Sequence, residues 1–468
     1  MKSIDKPSRK SFDDRLQTMI DQLRAQIGSG VYSAGMFLPS EKALTEQFHL
    51  SNKSVRKGLD KLIEEGLIVK VDRVGSRVVE SSSAASVTLT LGYSHTIERD
   101  IALSALLDDF HSLHPTIRVK PSHLIINSNY TGAVKKFSDN GLVDVFTLNN
   151  LHFQDMVDKD ELSMLQTFAE DPHQYRFAQE AFVHDNRLYA RPLVFSPIIL
   201  AYNRAHFRES QVPEPDGSWT WEEALRHAAA LTVPGQRHGL YFYLLSDNRW
   251  PAFLLQGDVR FEPGSVDRAF RAEDSRLLEA ARLCKRIISD RGLFPNYMSE
   301  NSDDVNALFM QGKVSMIMTN YMTINDFRHT DLGYDISPLP YMYEPRALLN
   351  VIGVAVSAST KHGEAARLLA DYLASPRAQL LIRKHTLSLP ANKEAAESPV
   401  AADDGMNRPS RYYLFREIMA SYRLHRELNV NSASLVKLRQ LLKSYWSGLI
   451  DDEELCKQAA LLAKRQHK

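Results

Sequence analysis

Residues Leu38 to Val79 read LPSEKALTEQFHLSNKSVRKGLDKLIEEGLIVKVDRVGSRVV, and this stretch decides how the N-terminal part of the chain folds. Ser40, after Pro39, is placed to cap a helix, with Glu41 in the first turn where the helix dipole favours a carboxylate. Ala43, Leu44 and Phe48 then share one helical face. His49-Leu50-Ser51 makes a tight connection, and Ser51 is a second N-cap. The helix it opens buries Val55, Leu59, Leu62 and Ile63 on one side. Gly66 ends that helix, because a left-handed position past a C-terminus suits a residue without Cβ. Two short β runs, Leu67–Val71 and Ser76–Val79, follow with a charged turn between them. Helix, turn, helix and a two-stranded wing predict a winged helix. Upstream, Phe12, Leu16, Met19, Ile20, Leu23 and Ile27 recur at helical spacing and supply a third core helix, ended by Gly28-Ser29-Gly30.

These residues resemble the GntR-type bacterial transcription regulators. Leu38-Pro39-Ser40-Glu41, Ser51-x-x-Ser54-Val55-Arg56, Leu59-x-x-Leu62 and Glu65-Gly66-Leu67-Ile68 stand at that family's positions in its order, over about the first sixth of the chain. Two departures stand out. Asn52 occupies the first turn of the recognition helix where the family usually has Arg. Arg73 replaces the first glycine of the usual Gly-x-Gly wing tip, while Gly75 keeps the second.

The chain has 468 residues, enough for two or three compact units. Its 44% hydrophobic and 24% charged content is that of a soluble globular protein. The 57 basic and 57 acidic residues cancel, and the first 80 residues hold 14 Lys and Arg against 11 Asp and Glu. Nucleic-acid binding must therefore rest on where charges sit, not on a global positive charge. Two cysteines far apart, Cys284 and Cys456, argue against a disulfide scaffold and suit a reducing compartment. The polar start MKSIDKPSRKSFDD has no signal-peptide core, and no apolar run is long enough to span a bilayer, so a cytoplasmic protein without a membrane partner is expected.

The winged helix is expected to occupy residues 1–80. Ser81 to Ser86 reads as a linker of about 13 Å if flexible. From Val87 the pattern changes to alternating strands and helices. Strands are expected at Val87–Leu91, Ile117–Val119 and Val143–Phe146, with an amphipathic helix over Ile101–Leu113. The run LYARPLVFSPIILAYNRAHF from Leu188, interrupted by Pro192 and Pro197, suits a strand passing between two lobes better than one central strand. Largely helical sequence follows to Gly333, with a strand at Val314–Met318. Further β-like runs come at Tyr334–Pro340 and Leu348–Val356, then helices at Ala365–Ala374 and from Arg411 onward.

Residues 87 to about 460 resemble the family 1 extracellular solute-binding proteins, relatives of maltodextrin-binding protein. The resemblance rests on Leu188-Tyr189-Ala190-x-Pro192, Ile199-Leu200-Ala201-Tyr202-Asn203, Val212-Pro213-x-Pro215 and Thr220-Trp221-Glu222-Glu223. It continues through Leu308-Phe309-Met310-Gln311-Gly312-Lys313-Val314-Ser315-Met316 and Leu389-Pro390-Ala391-Asn392. It implies a type II periplasmic-binding-protein-like fold of two α/β lobes with a ligand, commonly a sugar, between them. The expected fold class is thus multidomain α+β. Lobe one is expected at about 87–193 and 337–390, and lobe two at about 194–336 and 391–468. Secreted members begin with a signal peptide; a DNA-binding module in that place points to a cytoplasmic sensor.

On the recognition helix, Asn52, Lys53, Arg56 and Lys57 lie opposite the buried stripe. Asn suits adenine, Arg suits guanine and Lys suits phosphates, against the alternative of an ordinary solvated face. Lys42, Ser54, Arg73 and Arg77 are candidate phosphate contacts, whereas Asp72 would repel phosphate. By position in the solute-binding pattern, the ligand cleft is expected to use Tyr93, Ser94, His95, Asn149, Asn150, Ser196, Asn248, Trp250, Asn320 and Tyr321. Aromatic faces pack on sugar C–H faces, and amides and hydroxyls bond the sugar hydroxyls. The bland alternatives are a core position for Trp250 and a surface loop for His95. Thr220-x-x-Glu223 is a capping box that gives Trp221 a structural role. His111 and His114 lack companions for a metal site. Gly312-Lys313 lacks a phosphate-loop frame, and GxSxG, HExxH, CxxC and GxGxxG are absent, so no enzyme activity, metal or cofactor is expected.

The expected function is a ligand-responsive transcription regulator. A homodimer would bind double-stranded operator DNA through the winged helices and a small molecule, a sugar or oligosaccharide, between the lobes. One rival is a sensor that has lost its ligand and serves dimerisation or protein contact. Another is a pyridoxal-phosphate enzyme fusion, because some GntR-type regulators carry an aminotransferase-like domain; the motif order here favours the solute-binding pattern.

Overall fold

The computed structural model describes the chain apart from residues 1–8, 29–30, 34, 72–73, 80–86, 125–128, 262–274, 296–298, 300, 400–404 and 466–468. The expected linker at 81–86 and the wing residues Asp72 and Arg73 lie outside the described residues. The chain divides into two compact units, Met1–Thr88 with His111–Arg118, and Leu89–Phe110 with Val119–Lys468.

In the first unit three helices, α1 (Arg9–Gly28), α2 (Glu41–Phe48) and α3 (Asn52–Glu64), precede a hairpin of β1 (Ile68–Val71) and β2 (Gly75–Val78). Both predicted caps form. Ser40 Oγ accepts from Ala43 N at 3.2 Å and Ser51 Oγ from Ser54 N at 3.3 Å, each such cap contributing about 1 kcal/mol. His49 turns the chain between α2 and α3 in the left-handed region, at φ 51°. Gly66, at φ 71°, stops α3. Leu16, Met19, Ile20 and Leu23 of α1 pack with Leu44, Val55, Leu59 and Leu62 into one apolar core, closed by Ile68 and Val78 of the hairpin. The wing has an additional edge: Leu38 N donates to Ser76 O and Val78 N to Met36 O, both at 2.8 Å. A single bridge of this kind, Phe37 opposite Arg77, leaves no alternation in the sequence to detect.

The second unit is two-lobed α/β. Its strands are β3 (Val87–Tyr93), β4 (Ile117–His123), β5 (Val145–Asn149), a small hairpin of β6 (Val183–His184) and β7 (Arg187–Leu188), then β8 (Arg191–Asn203), β9 (His238–Tyr241), β10 (Val314–Asn320), β11 (Tyr334–Ser337), β12 (Ala347–Val356), β13 (Leu389–Pro390) and β14 (Tyr422–Arg423). Apart from β6 and β7, these join in one sheet with the main order β4-β3-β5-β12-β8-β10-β9. Strand β8 is the crossover. Its first half pairs with β12 and β13, as in Phe195 opposite Val351 and Leu389. Its second half pairs with β10 and β11, as in Leu200 opposite Met318 and Ser337. Both faces and both edges are covered, which accounts for the nearly unbroken apolar run. The ladder with β12 slips between Ile352 and Gly353, where β12 opposes Pro192. A Cβ at Gly353 would stand 2.9 Å from Arg191 O.

Two departures from the expected elements are instructive. The helix predicted over Ile101–Leu113 forms as α5 (Leu103–Leu113), and a separate short helix, α4 (Ile97–Ile101), precedes it across Ala102, left-handed at φ 53°. Five residues are too few for α4 to show a periodicity of its own. Strand β9 lies within a region read as largely helical; four residues give too short an alternation to register.

Strand β9 packs on the helix Trp221–Leu231, whose capping box of Thr220 and Glu223 forms as the spacing predicts. At Gly239 the contact is backbone to backbone: a Cβ there would sit 1.9 Å from Ala228 O. Carbonyl oxygens in a helix cannot rotate aside as a side chain does. Gly239→Ala should therefore destabilise the second unit by about 2–3 kcal/mol or more, seen as an earlier denaturant midpoint; an unchanged midpoint would mean that β9 shifts freely.

Candidate functional site

The exposed side of α3 carries Asn52, Lys53, Arg56 and Lys57, as the apolar stripe on its other side requires. Two of these are already held. Asn52 Oδ1 accepts from Thr45 Oγ1 of α2 at 3.0 Å. Arg56 Nε donates to Glu41 Oε2 at 2.7 Å, and Lys70 of β1 stands 3.6 Å from the other carboxylate oxygen. The hydrogen bond from Arg56, supported by the nearby Lys70 charge, keeps the Glu41 carboxyl below the usual range. One first-turn carboxylate thus joins all three parts of the DNA-binding module. Lys42 and Arg77 are exposed. Ser54 departs from the expectation: it is 8% exposed, and its hydroxyl lies 2.8 Å from that of Ser51 inside the cap. Its polar atom is engaged with the N-cap at the start of α3, not offered to a phosphate.

In the second unit a cavity of about 300 Å3 opens where strand ends and loops converge. Ser94, His95, Asn149, Asn248 and Asn320 line it, five of the ten expected ligand residues. Asn149 ends β5 and caps the helix Asn150–Asp158, its side chain accepting from His152 N at 2.7 Å. Asn320 ends β10 and accepts from Thr323 N at 2.8 Å. The amides of Asn248 and of Asn350, a further lining residue on β12, make no side-chain hydrogen bond to the described residues and face the cavity unpaired.

The other five expected residues do not line this cavity. Ser196 is fully buried beneath the crossover, accepting from Tyr321 N at 2.7 Å and donating to Pro197 O at 2.9 Å. Tyr321 is also fully buried and donates to Tyr412 O at 2.9 Å. Trp250 is 1% exposed, with its indole N–H on Asp247 at 3.2 Å. Asn150 Oδ1 accepts from Val351 N at 2.9 Å, and its amide nitrogen lies 3.3 Å from His425. Tyr93 stacks on His123, ring centroids 5.6 Å apart. Each is a neighbour in sequence or ladder of a lining residue, but apart from Tyr93, held by ring stacking, its polar group is spent on the scaffold.

The cavity also contains residues that the sequence reading missed. Arg99 of α4 reaches Asp100 at 2.9 Å, Asp326 at 3.2 Å and Asp303 at 3.6 Å. Burial opposes its charge, but the Asp100 and Asp326 carboxylates outweigh that and raise its pKa. Asp100 is 2% exposed, and burial raises its pKa despite the adjacent Arg99. Tyr130 stacks on His152 at 4.3 Å, and both line the cavity with Tyr243 as its aromatic surfaces. Burial lowers the His152 pKa to about 4, so its ring is neutral near pH 7. Arg249, 3% exposed, lines the same space. Tyr130 follows Asn129 at a helix start and Arg249 precedes a tryptophan; neither position stands out in periodicity or spacing. Among the described residues no cluster of three or more His, Cys, Asp or Glu is arranged to hold a metal ion. No described helix is long and apolar enough to cross a membrane.

Comparison with known proteins finds two separate family matches along the chain. Residues 16–78 match the model for bacterial regulatory proteins of the gntR family, and residues 106–408 match that for bacterial extracellular solute-binding proteins. The galactooligosaccharide-binding protein of Bacillus subtilis is 25% identical over 226 residues, 46% of this chain and 52% of that protein. The chain thus spans about half the length of that curated relative. The HTH-type transcriptional repressor NagR of the same organism is 38% identical over 60 residues, 13% of this chain and 25% of NagR. Among solved structures, the ABC substrate-binding protein of Listeria monocytogenes in complex with cycloalternan superimposes with a TM-score of 0.68 at 17% identity, covering 81% of this chain and 98% of that one. The second unit therefore has the fold of these binding proteins. With a GntR-family helix-turn-helix domain at residues 16–78 and a solute-binding match over more than half of its length, the chain belongs to the bacterial extracellular solute-binding protein family.

Proposed function

We propose that this protein is a cytoplasmic, homodimeric transcription regulator whose sensor unit binds a carbohydrate and thereby changes operator affinity. The observation that carries the reading is a polar cavity with unpaired amides and stacked aromatic rings, on the same chain as a helix-turn-helix module with an exposed basic reading face. Sugars need both surfaces: hydroxyl partners, and flat apolar faces for ring C–H groups. The relative named for galactooligosaccharides and the neighbour solved with cycloalternan support a sugar as the ligand class.

In this mechanism Asn52, Lys53, Arg56 and Lys57 enter the major groove, and Lys42 and Arg77 meet phosphates. Two winged helices of a dimer reach successive grooves about one helical turn apart. Ligand favours one arrangement of the lobes, and a coupling of about 1–3 kcal/mol to the DNA-binding state makes a usable switch.

Three outcomes follow. Arg56→Ala should weaken operator binding at least about tenfold, since a guanidinium on a guanine edge carries that much discrimination, with sugar affinity unchanged by calorimetry. Asn248→Ala should weaken sugar binding about tenfold or more with little change in melting temperature, whereas Trp250→Ala should lower the melting temperature first. A sugar that binds in calorimetry should shift operator affinity about fivefold or more in a gel-shift titration; equal affinity with and without bound sugar would sink the switch.

A further inference from the structure

We propose that the sensor's ligand carries an anionic substituent, a phosphate or a carboxylate, and that Arg249 is its counter-charge. This rests on the carbohydrate-sensor reading above and narrows it to acidic sugars.

The cavity holds two arginines in opposite situations. Arg99 is surrounded by Asp100, Asp303 and Asp326, so its charge is met within the protein, and the two carboxylates that line the cavity are both occupied by it. Arg249 is more deeply buried and has no carboxylate within ion-pair distance among the described residues. Its Nε donates to Met318 O at 3.0 Å and its Nη1 to Asn248 O at 3.1 Å. These carbonyls satisfy two N–H directions and fix the plane of the group, but they supply no negative charge. Nη2 has no hydrogen-bond partner among the described residues, on a side chain that borders the cavity.

Burial brings the Arg249 pKa down to about 10, with no carboxylate acting on it. The group stays protonated near pH 7. A buried, unpaired cation is costly, and proteins ordinarily pair such a charge or neutralise it. Here the residue is held rigidly by its own backbone neighbours, with an N–H edge left for whatever enters. A planar guanidinium matches phosphate and carboxylate oxygens better than any other side chain does. The amides of Asn248 and Asn350 then remain for hydroxyls on the rest of the ligand.

The test is calorimetry on the full-length protein at constant ionic strength with six probes: galactose, galacturonate, galactose 6-phosphate, glucose, glucuronate and glucose 6-phosphate. An acidic sugar should bind at least about tenfold more tightly than its neutral parent. Preference for the 6-phosphate identifies phosphate as the substituent, and preference for the uronate identifies carboxylate. Arg249→Gln should erase the preference and Arg249→Lys retain part of it; if the Gln variant does not fold by circular dichroism, the wild-type comparison decides alone. Neutral sugars binding as tightly as acidic ones would overturn the proposal, with Arg249 then donating to hydroxyls and the carbohydrate reading intact. Binding of none of the six would overturn both.

Discussion

The second unit depends on one strand serving two sets of neighbours. Strand β8 exchanges partners midway, from β12 and β13 to β10 and β11, so its backbone stays hydrogen-bonded while it passes from one part of the sheet to the other. This fixes the cavity. Asn350 pairs with Ser196, Asn320 with Ile198, and Asn149 with Ile352, so three of the lining amides sit in ladder positions around the crossover. Side chains mounted on a paired backbone are held more closely than those on free loops, which suits recognition of many similarly spaced hydroxyls.

A second tie acts across the cavity itself. Arg99 belongs to α4, while Asp303 and Asp326 belong to segments more than two hundred residues later in the chain. Asn306 adds a bond to Asp326 at 2.6 Å. These links hold the cavity walls together electrostatically where β8 holds them covalently. Any widening of the space must break charge-assisted bonds, which are about twice as strong as neutral ones.

Much of this was legible in the residues. Caps at Ser40 and Ser51, the stop at Gly66 and the buried stripe of α3 are local decisions, and each follows from the chemistry of one or two side chains. The long apolar run of β8 and its prolines likewise announced a strand passing between two lobes, but not that both of its edges would be paired. The cavity was legible only by half. Sequence position pointed to turns that border the cavity, so that Asn149 and Asn248 line the space while Asn150 and Trp250, next to or near them, do not. The difference is which way a side chain points and whether its polar atom is already bonded, and both depend on partners far along the chain. Ser196 and Tyr321 bond to each other across 125 residues. Arg249 was invisible for the same reason: a surface arginine and a buried one without a carboxylate have identical letters.

The carboxylate of Glu41 gives the reading face an unusual starting condition. In the proposed DNA contact, Arg56 would start from an existing partnership, and Lys70 shares the same anchor. A base edge therefore competes with Glu41 for the guanidinium, and only one offering a comparable acceptor pair draws it away. On an unsuitable sequence Arg56 loses nothing by staying where it is. If Arg56 reads bases as proposed, discrimination would come in part from a standing offer within the protein, which gives that side chain somewhere else to be.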